Sequence, residues 1–191
     1  MLLNLPNLLT WQRILAIPLL VAVYLVPWEG WSIHSRNLVA TVIFVLAAVT
    51  DWVDGYLARR LGQQTAFGAF LDPVADKLLV CVALVMLLEL DRVASGVAAI
   101  IIGREIAISA LREWMATIGA RRSVAVSSLG RFKTASQLIA IPLLLFHDRL
   151  FDLIDTQLLG TWLLYAAAIL TLWSMGYYLK QAWPQLRGGG Q

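Results

Sequence analysis

Six apolar runs separated by short polar stretches make up almost all of this chain. They cover Leu8–Val26, Leu38–Gly55, Phe70–Leu90, Val93–Leu111, Thr134–Phe146 and Leu158–Leu179. A helix needs about 20 apolar residues to cross a bilayer, and the runs approach that length. The fifth is short, and its helix is expected to start nearer Gly130. The pattern predicts an all-α, polytopic membrane protein with six transmembrane helices. The first run has no convincing small-residue cleavage pattern behind it and is read as a retained helix rather than a signal peptide. No linker or low-complexity stretch divides the chain. One domain is expected over residues 1–187, with a disordered tail at 188–191.

Composition agrees with the pattern. Hydrophobic residues make up 60% of the 191 positions and charged residues 14%, with a mean hydropathy of +0.75. A soluble domain carries about 25% charged residues, so the surplus apolar surface calls for lipid as its solvent. Eight Trp and five Tyr suit interfacial belts. The single cysteine, Cys81, has no partner for an internal disulfide and says nothing about redox compartment.

The basic residues set an orientation. One set of loops and ends holds nine: Arg59, Arg60, Arg112, Arg121, Arg122, Arg131, Lys133, Lys180 and Arg187. The other holds three: Arg36, Arg92 and Arg149. Cytoplasmic loops carry the excess of Lys and Arg, so both termini are expected to face the cytoplasm.

Four carboxylates break the apolar pattern. Asp51 and Asp54 close the second run, and Asp72 and Asp76 open the third. Each is costly at membrane depth, by a few kcal/mol. The i,i+3 and i,i+4 spacings put each pair on one helix face, and the short connection between them allows the two faces to converge. Four like charges in one place repel, and bound cations resolve the repulsion. All-oxygen donors suit hard ions such as Mg²⁺, Mn²⁺ or Ca²⁺. Two ions about 4 Å apart would suit in-line displacement at phosphorus. Gly55, Ala58 and Gly68 leave room for a ligand against the backbone, Arg59 and Lys77 offer charge to phosphates, and Thr65 offers a hydroxyl. The same acids would also suit a divalent-cation transporter, or salt bridges in a structural scaffold.

A second charged group interrupts the fourth run. Arg104 lies deep enough to need a partner, which Glu105 or an aspartate would supply. Arg104 and Arg112, eight residues apart, share a helix face, and with Lys133 they form a candidate anion site. Arg121 and Arg122 read as topology charges at lipid headgroups. At the N-terminus, Asn7 or Thr10 is expected to cap a helix that Pro6 separates from anything upstream. Asn7, Thr10 and Arg13 either reach a cytoplasmic ligand or serve for capping and snorkelling.

Residues 51–76 read Asp51-x₂-Asp54-Gly55-x₂-Ala58-Arg59-x₈-Gly68-x₃-Asp72-x₃-Asp76. With all eight positions in register, the segment resembles the signature of the CDP-alcohol phosphatidyltransferases. Asn4–Arg13 with Pro18, Ala47–Lys77, Arg104–Thr134 and Leu172–Met175 are similar to the branch of that family that forms phosphatidylglycerophosphate. The resemblance implies six transmembrane helices in a bacterial inner membrane, an active site on the cytoplasmic side, and a homodimer. It implies transfer of a phosphatidyl group from CDP-diacylglycerol to glycerol 3-phosphate with release of CMP. It further implies Mg²⁺ or Mn²⁺, two ions, on Asp51, Asp54, Asp72 and Asp76, with Asp76 as base. Gly55, Ala58, Arg59, Thr65 and Gly68, with Asn7, Thr10 and Arg13, would line the CDP-diacylglycerol site. Arg104, Arg112 and Lys133 would hold the phosphate of glycerol 3-phosphate. Serine, inositol phosphate and phosphatidylglycerol are the alternative acceptors, since the signature alone does not choose among them.

Overall fold

The computed structural model describes the backbone of residues 5–61, 66–118, 128–150 and 153–188. Side chains are described over 11–50, 71–118, 132–150, 153–181 and at 183. Among the described residues, six helices carry the fold. They are α1 (Leu5–Leu25), α2 (Ile33–Leu61), α3 (Ala66–Glu89), α4 (Ser95–Thr117), α5 (Ser128–Phe146) and α6 (Thr156–Gly188). Each apolar run seeds one helix. Several helices run on past their apolar runs, most of all α2 and α6, where the extensions are polar or charged. Helix α5 begins at Ser128, before Thr134, as the short fifth run led one to expect. Helix α6 reaches Gly188, the first residue of the expected tail, and 189–191 lie outside the described residues.

The start of α1 corrects one expectation. The helix already includes Leu5, so Pro6 stands in its first turn, where a missing N–H costs little. Asn7 and Thr10 are inside the helix rather than at a cap. A second departure is a small antiparallel ladder between α5 and α6. There Arg149 pairs with Asp155, and Leu150 with Ile154, forming β1 (Arg149–Leu150) and β2 (Ile154–Asp155).

Helix α5 packs most extensively on α6, and α1 on α2 and α3; α2 with α5 and α4 with α6 complete the bundle. The main core joins Leu20, Phe44, Leu84, Leu87, Ile101, Ile141 and Leu145. At Gly160, α6 comes so close to α5 that a Cβ would stand 2.8 Å from Leu144 Cγ and 3.2 Å from the Ala140 carbonyl. Only glycine fits that approach.

Large apolar side chains also cover the outside. Trp173 is 72% exposed, and Trp162, Ile169, Leu158, Leu15 and Ile106 are all well over half exposed. Among the described residues, two helices are long and apolar enough to cross a membrane: Ile33–Thr50 of α2 and Thr156–Gln181 of α6. Trp11–Leu25 and Phe132–Phe146 are shorter apolar helices. Helices α3 and α4 have the length but carry Asp72, Asp76 and Lys77, and Arg104, Glu105 and Arg112, within it.

Polar side chains gather at two ends of the bundle. At one end, the turn after α3 closes with Asp91 at φ 54. The Arg92 N–H bonds the Leu87 carbonyl at 2.9 Å and the Asp91 N–H bonds that of Leu88 at 3.0 Å, a Schellman closure. It turns the Arg92 side chain inward. That guanidinium donates to the Leu144 and Leu145 carbonyls at 3.2 and 2.8 Å and to Asn37 Oδ1 at 2.8 Å. It therefore caps the end of α5 and ties it to α2. Tyr24 also donates to Asn37 Oδ1, and Arg36 donates to the Tyr24 carbonyl. Burial and the nearby Arg92 hold the His147 imidazole below its ordinary range.

Candidate functional site

The opposite end holds the residues picked out in the sequence. Asp72 and Asp76 are one turn apart on α3. Arg13, on α1, is fully buried and forms an ion pair with Asp76. Snorkelling is thus excluded for Arg13: its guanidinium points into the bundle, toward a carboxylate 63 residues away. The two side chains line a cavity of about 100 Å³ together with Ala47 and Ala48 of α2, Leu79 and Val80 of α3, and Thr134 and Leu138 of α5.

Ala48 lies one turn before Asp51. The backbone register of α2 therefore brings Asp51 and Asp54 toward the same end as Asp76. The side chains of Asp51, Asp54, Ala58, Arg59, Asn7 and Thr10 lie outside the described residues, Gly55 and Gly68 are described in backbone alone, and Thr65 lies outside altogether. Among the described residues, no three His, Cys, Asp or Glu side chains come together around one point. The donors that are described, Asp72 and Asp76, offer only carboxylate oxygen, which fits a hard divalent cation. They leave a set that Asp51 and Asp54 would complete.

The basic cluster adjoins this cavity. Lys133 Nζ forms an ion pair with Glu105 Oε1, and Arg104 NH1 donates to the same oxygen at 3.2 Å. Arg104 NH2 donates to Ser174 Oγ at 3.0 Å. Arg112 NH2 lies 3.5 Å from the Tyr178 hydroxyl. The guanidinium carbons of Arg104 and Arg112 stand 5.8 and 5.4 Å from the Tyr178 ring centroid, within cation–π range. Lys133 is 2% exposed and Arg104 7%. The three cations expected to act together are thus brought together, at the junction of α4, α5 and α6. Arg121, Arg122 and the Arg131 side chain lie outside the described residues.

Helix α5 joins the two halves. Lys133 enters the basic cluster while the next residue, Thr134, lines the cavity beside Asp76. Sequence reasoning placed Glu105 beside Arg104 but missed its pairing with Lys133. It missed Ser174 and Tyr178 altogether. Their signal was present: the two are four residues apart, so they share one face of an otherwise apolar helix.

The model of the family described as CDP-alcohol phosphatidyltransferase matches residues 3–173. The chain is 48% identical over 181 residues to a CDP-diacylglycerol–glycerol-3-phosphate 3-phosphatidyltransferase of Salmonella choleraesuis (strain SC-B67), covering 94% of both chains. It is 48% identical over 191 residues to the enzyme of the same name from Pseudomonas fluorescens, covering 98% of this chain and 94% of that one. It is 49% identical over 181 residues to the one from Shigella flexneri, with 94% of both chains covered.

Proposed function

The chain belongs to the CDP-alcohol phosphatidyltransferase family, and we propose that it transfers the phosphatidyl group of CDP-diacylglycerol to glycerol 3-phosphate. The products are phosphatidylglycerophosphate and CMP. Relatives carrying that enzyme name match almost the whole chain. The observation that carries the reading is the cavity where Arg13, Asp76 and Thr134 meet, set against a cluster of three cations of which Arg104 and Lys133 are buried. One half suits a pyrophosphate and the other a phosphorylated alcohol.

In this reading Asp51, Asp54, Asp72 and Asp76 hold Mg²⁺ or Mn²⁺, two ions. Bound metal would neutralise the pyrophosphate and the departing CMP. Arg104, Arg112 and Lys133 hold the acceptor's phosphate, so its free hydroxyl is directed at the lipid-bearing phosphorus. Asp76 takes the proton of that hydroxyl, and Arg13 fixes the orientation of the Asp76 carboxylate. A new P–O bond forms to the glycerol oxygen, and the bond to the cytidylyl phosphate breaks. Gly55, Ala58, Arg59, Thr65 and Gly68, with Asn7, Thr10 and Arg13, line the CDP-diacylglycerol side.

Six helices cross the bacterial inner membrane, with both termini and the site on the cytoplasmic side, and the protein works as a homodimer. The exposed apolar faces and the nine-to-three split of basic residues support the membrane placement. The charged end of α3 and the cluster on α4 then lie toward the cytoplasmic interface, where a soluble acceptor reaches them.

The test supplies purified protein with CDP-diacylglycerol, Mg²⁺ or Mn²⁺, and a panel of alcohols, and measures CMP. Release with glycerol 3-phosphate is expected. Equal release with inositol phosphate would overturn the acceptor. Metal flux without CMP release would overturn the reaction. The Arg112→Ala variant is expected to lose most of its preference for glycerol 3-phosphate over glycerol, and an unchanged preference would remove that residue from the acceptor site.

A further inference from the structure

Glu105 has no part in the reaction as just described, yet it lies at the centre of the basic cluster. One of its oxygens takes both Lys133 and Arg104. Tyr178 is fully buried, with the guanidinium groups of Arg104 and Arg112 both within cation–π range of its ring. Each of the three cations is therefore held by a side chain of the chain itself.

The charge of the cluster is three positive groups against one carboxylate, which leaves two positive charges. Buried charge is costly unless matched. A phosphate monoester, with a second pKa of about 6, carries close to two negative charges at pH 7. A phosphodiester carries one, and a plain alcohol none. Lys77 on α3 lies within electrostatic reach of Glu105 and adds positive potential from the side of Asp76. Two donors are also left over: the buried Nε groups of Arg104 and Arg112 have no hydrogen-bond partner among the described residues. Buried donors of this kind are seldom left unmet, and phosphate oxygens would satisfy them.

We propose that Glu105 is a positioning residue that, with Tyr178, fixes the three cations and sets their residual charge at two, so that the pocket selects a phosphate monoester dianion. This rests on the acceptor reading given above. Glu105 touches no substrate in it. It holds Lys133 and Arg104 at one point, and the incoming phosphate completes the balance.

The test measures KM for glycerol 3-phosphate, for its monoanionic methyl phosphodiester and for CDP-diacylglycerol, using the full-length protein. The wild type is expected to prefer the dianion. In Glu105→Gln, KM for glycerol 3-phosphate is expected to rise about tenfold, equivalent to about 1.4 kcal/mol. The methyl phosphodiester should lose as much, because the lost geometry serves both anions while the cluster's positive charge only grows, and kcat and KM for CDP-diacylglycerol should stay within about twofold. Glu105→Asp keeps the charge and is expected to recover most of the loss. Tyr178→Phe keeps the ring but removes the hydroxyl near Arg112, and is expected to raise the same KM a few fold. A Glu105→Gln enzyme with unchanged KM for glycerol 3-phosphate overturns the proposal, as does one in which KM for CDP-diacylglycerol rises equally. If Glu105→Gln does not fold, Tyr178→Phe decides by the same criterion: a rise for glycerol 3-phosphate but not for CDP-diacylglycerol supports the proposal, and unchanged values sink it. A wild type that releases no CMP with glycerol 3-phosphate defeats the acceptor reading itself. A competent wild type beside an indifferent Glu105→Gln defeats only this inference.

Discussion

The bundle buries an arginine toward each end, Arg92 and Arg104, and their surroundings are put together differently. At the Arg92 end the guanidinium spends its donors on two carbonyls of α5 and on Asn37. Its partners are neutral, and its bonds close a helix end and link three elements. At the Arg104 end the cations outnumber the carboxylate, they lie within reach of one another, and two buried Nε donors have no hydrogen-bond partner among the described residues. Burial alone therefore does not mark a binding site. Arg92 and Arg104 are almost equally buried, at 8% and 7% exposed. What distinguishes them is the pair of buried donors left over at the Arg104 end. Arg92 leaves no buried nitrogen unmet, whereas Arg104 and Arg112 each leave one that the anion proposed above would meet.

This contrast breaks or sharpens under substitution. The largest effect is expected from Asp76→Asn beside the basic cluster: about a 10³-fold loss of CMP release, in the range for removal of a proton-transfer group. Activity that survived unchanged would remove the proposed base. Arg92→Leu should act the other way round. It strips a helix end and Asn37 of their donor, so thermal unfolding in detergent should show a loss of about 3 kcal/mol, with KM for glycerol 3-phosphate unchanged. A shifted KM with stability intact would mean that the Arg92 end also binds substrate. The smallest effect belongs to His34→Ala. His34 contacts Asp148 at 2.7 Å on the exposed surface, and surface pairs contribute well under about 1 kcal/mol. Neither activity nor stability should change measurably, and a large change in either would show that end to be more than a strap.

The six helices were legible because apolar runs report burial in protein or lipid alike. Their full extents were not, since the polar tails of α2 and α6 are helical without being apolar and hydropathy has no signal for them. The hairpin of β1 and β2 escaped for a related reason, being two residues a side with no alternating run to announce it. The acidic end of the site was legible from Asp72 and Asp76, whose spacing alone put them on one face. Arg13 was harder: an arginine soon after a tryptophan, near the start of an apolar run, reads as an interfacial residue. Its partner lies on another helix, and no local pattern shows that. Tyr178 was hidden by its own chemistry. Among many exposed aromatics it looks like one more member of an interfacial belt, and only packing shows that it is fully buried against two guanidinium groups.

Neighbouring residues of α5 enter different parts of the candidate site: Lys133 pairs with Glu105 in the basic cluster, and Thr134 lines the cavity of Asp76. Consecutive side chains on an α-helix point about 100° apart, so these two neighbours face different ways from one backbone. In the reading proposed above, α5 would hold the acceptor's charge and its point of attack in a fixed relation, and a short phosphorylated alcohol would bridge them.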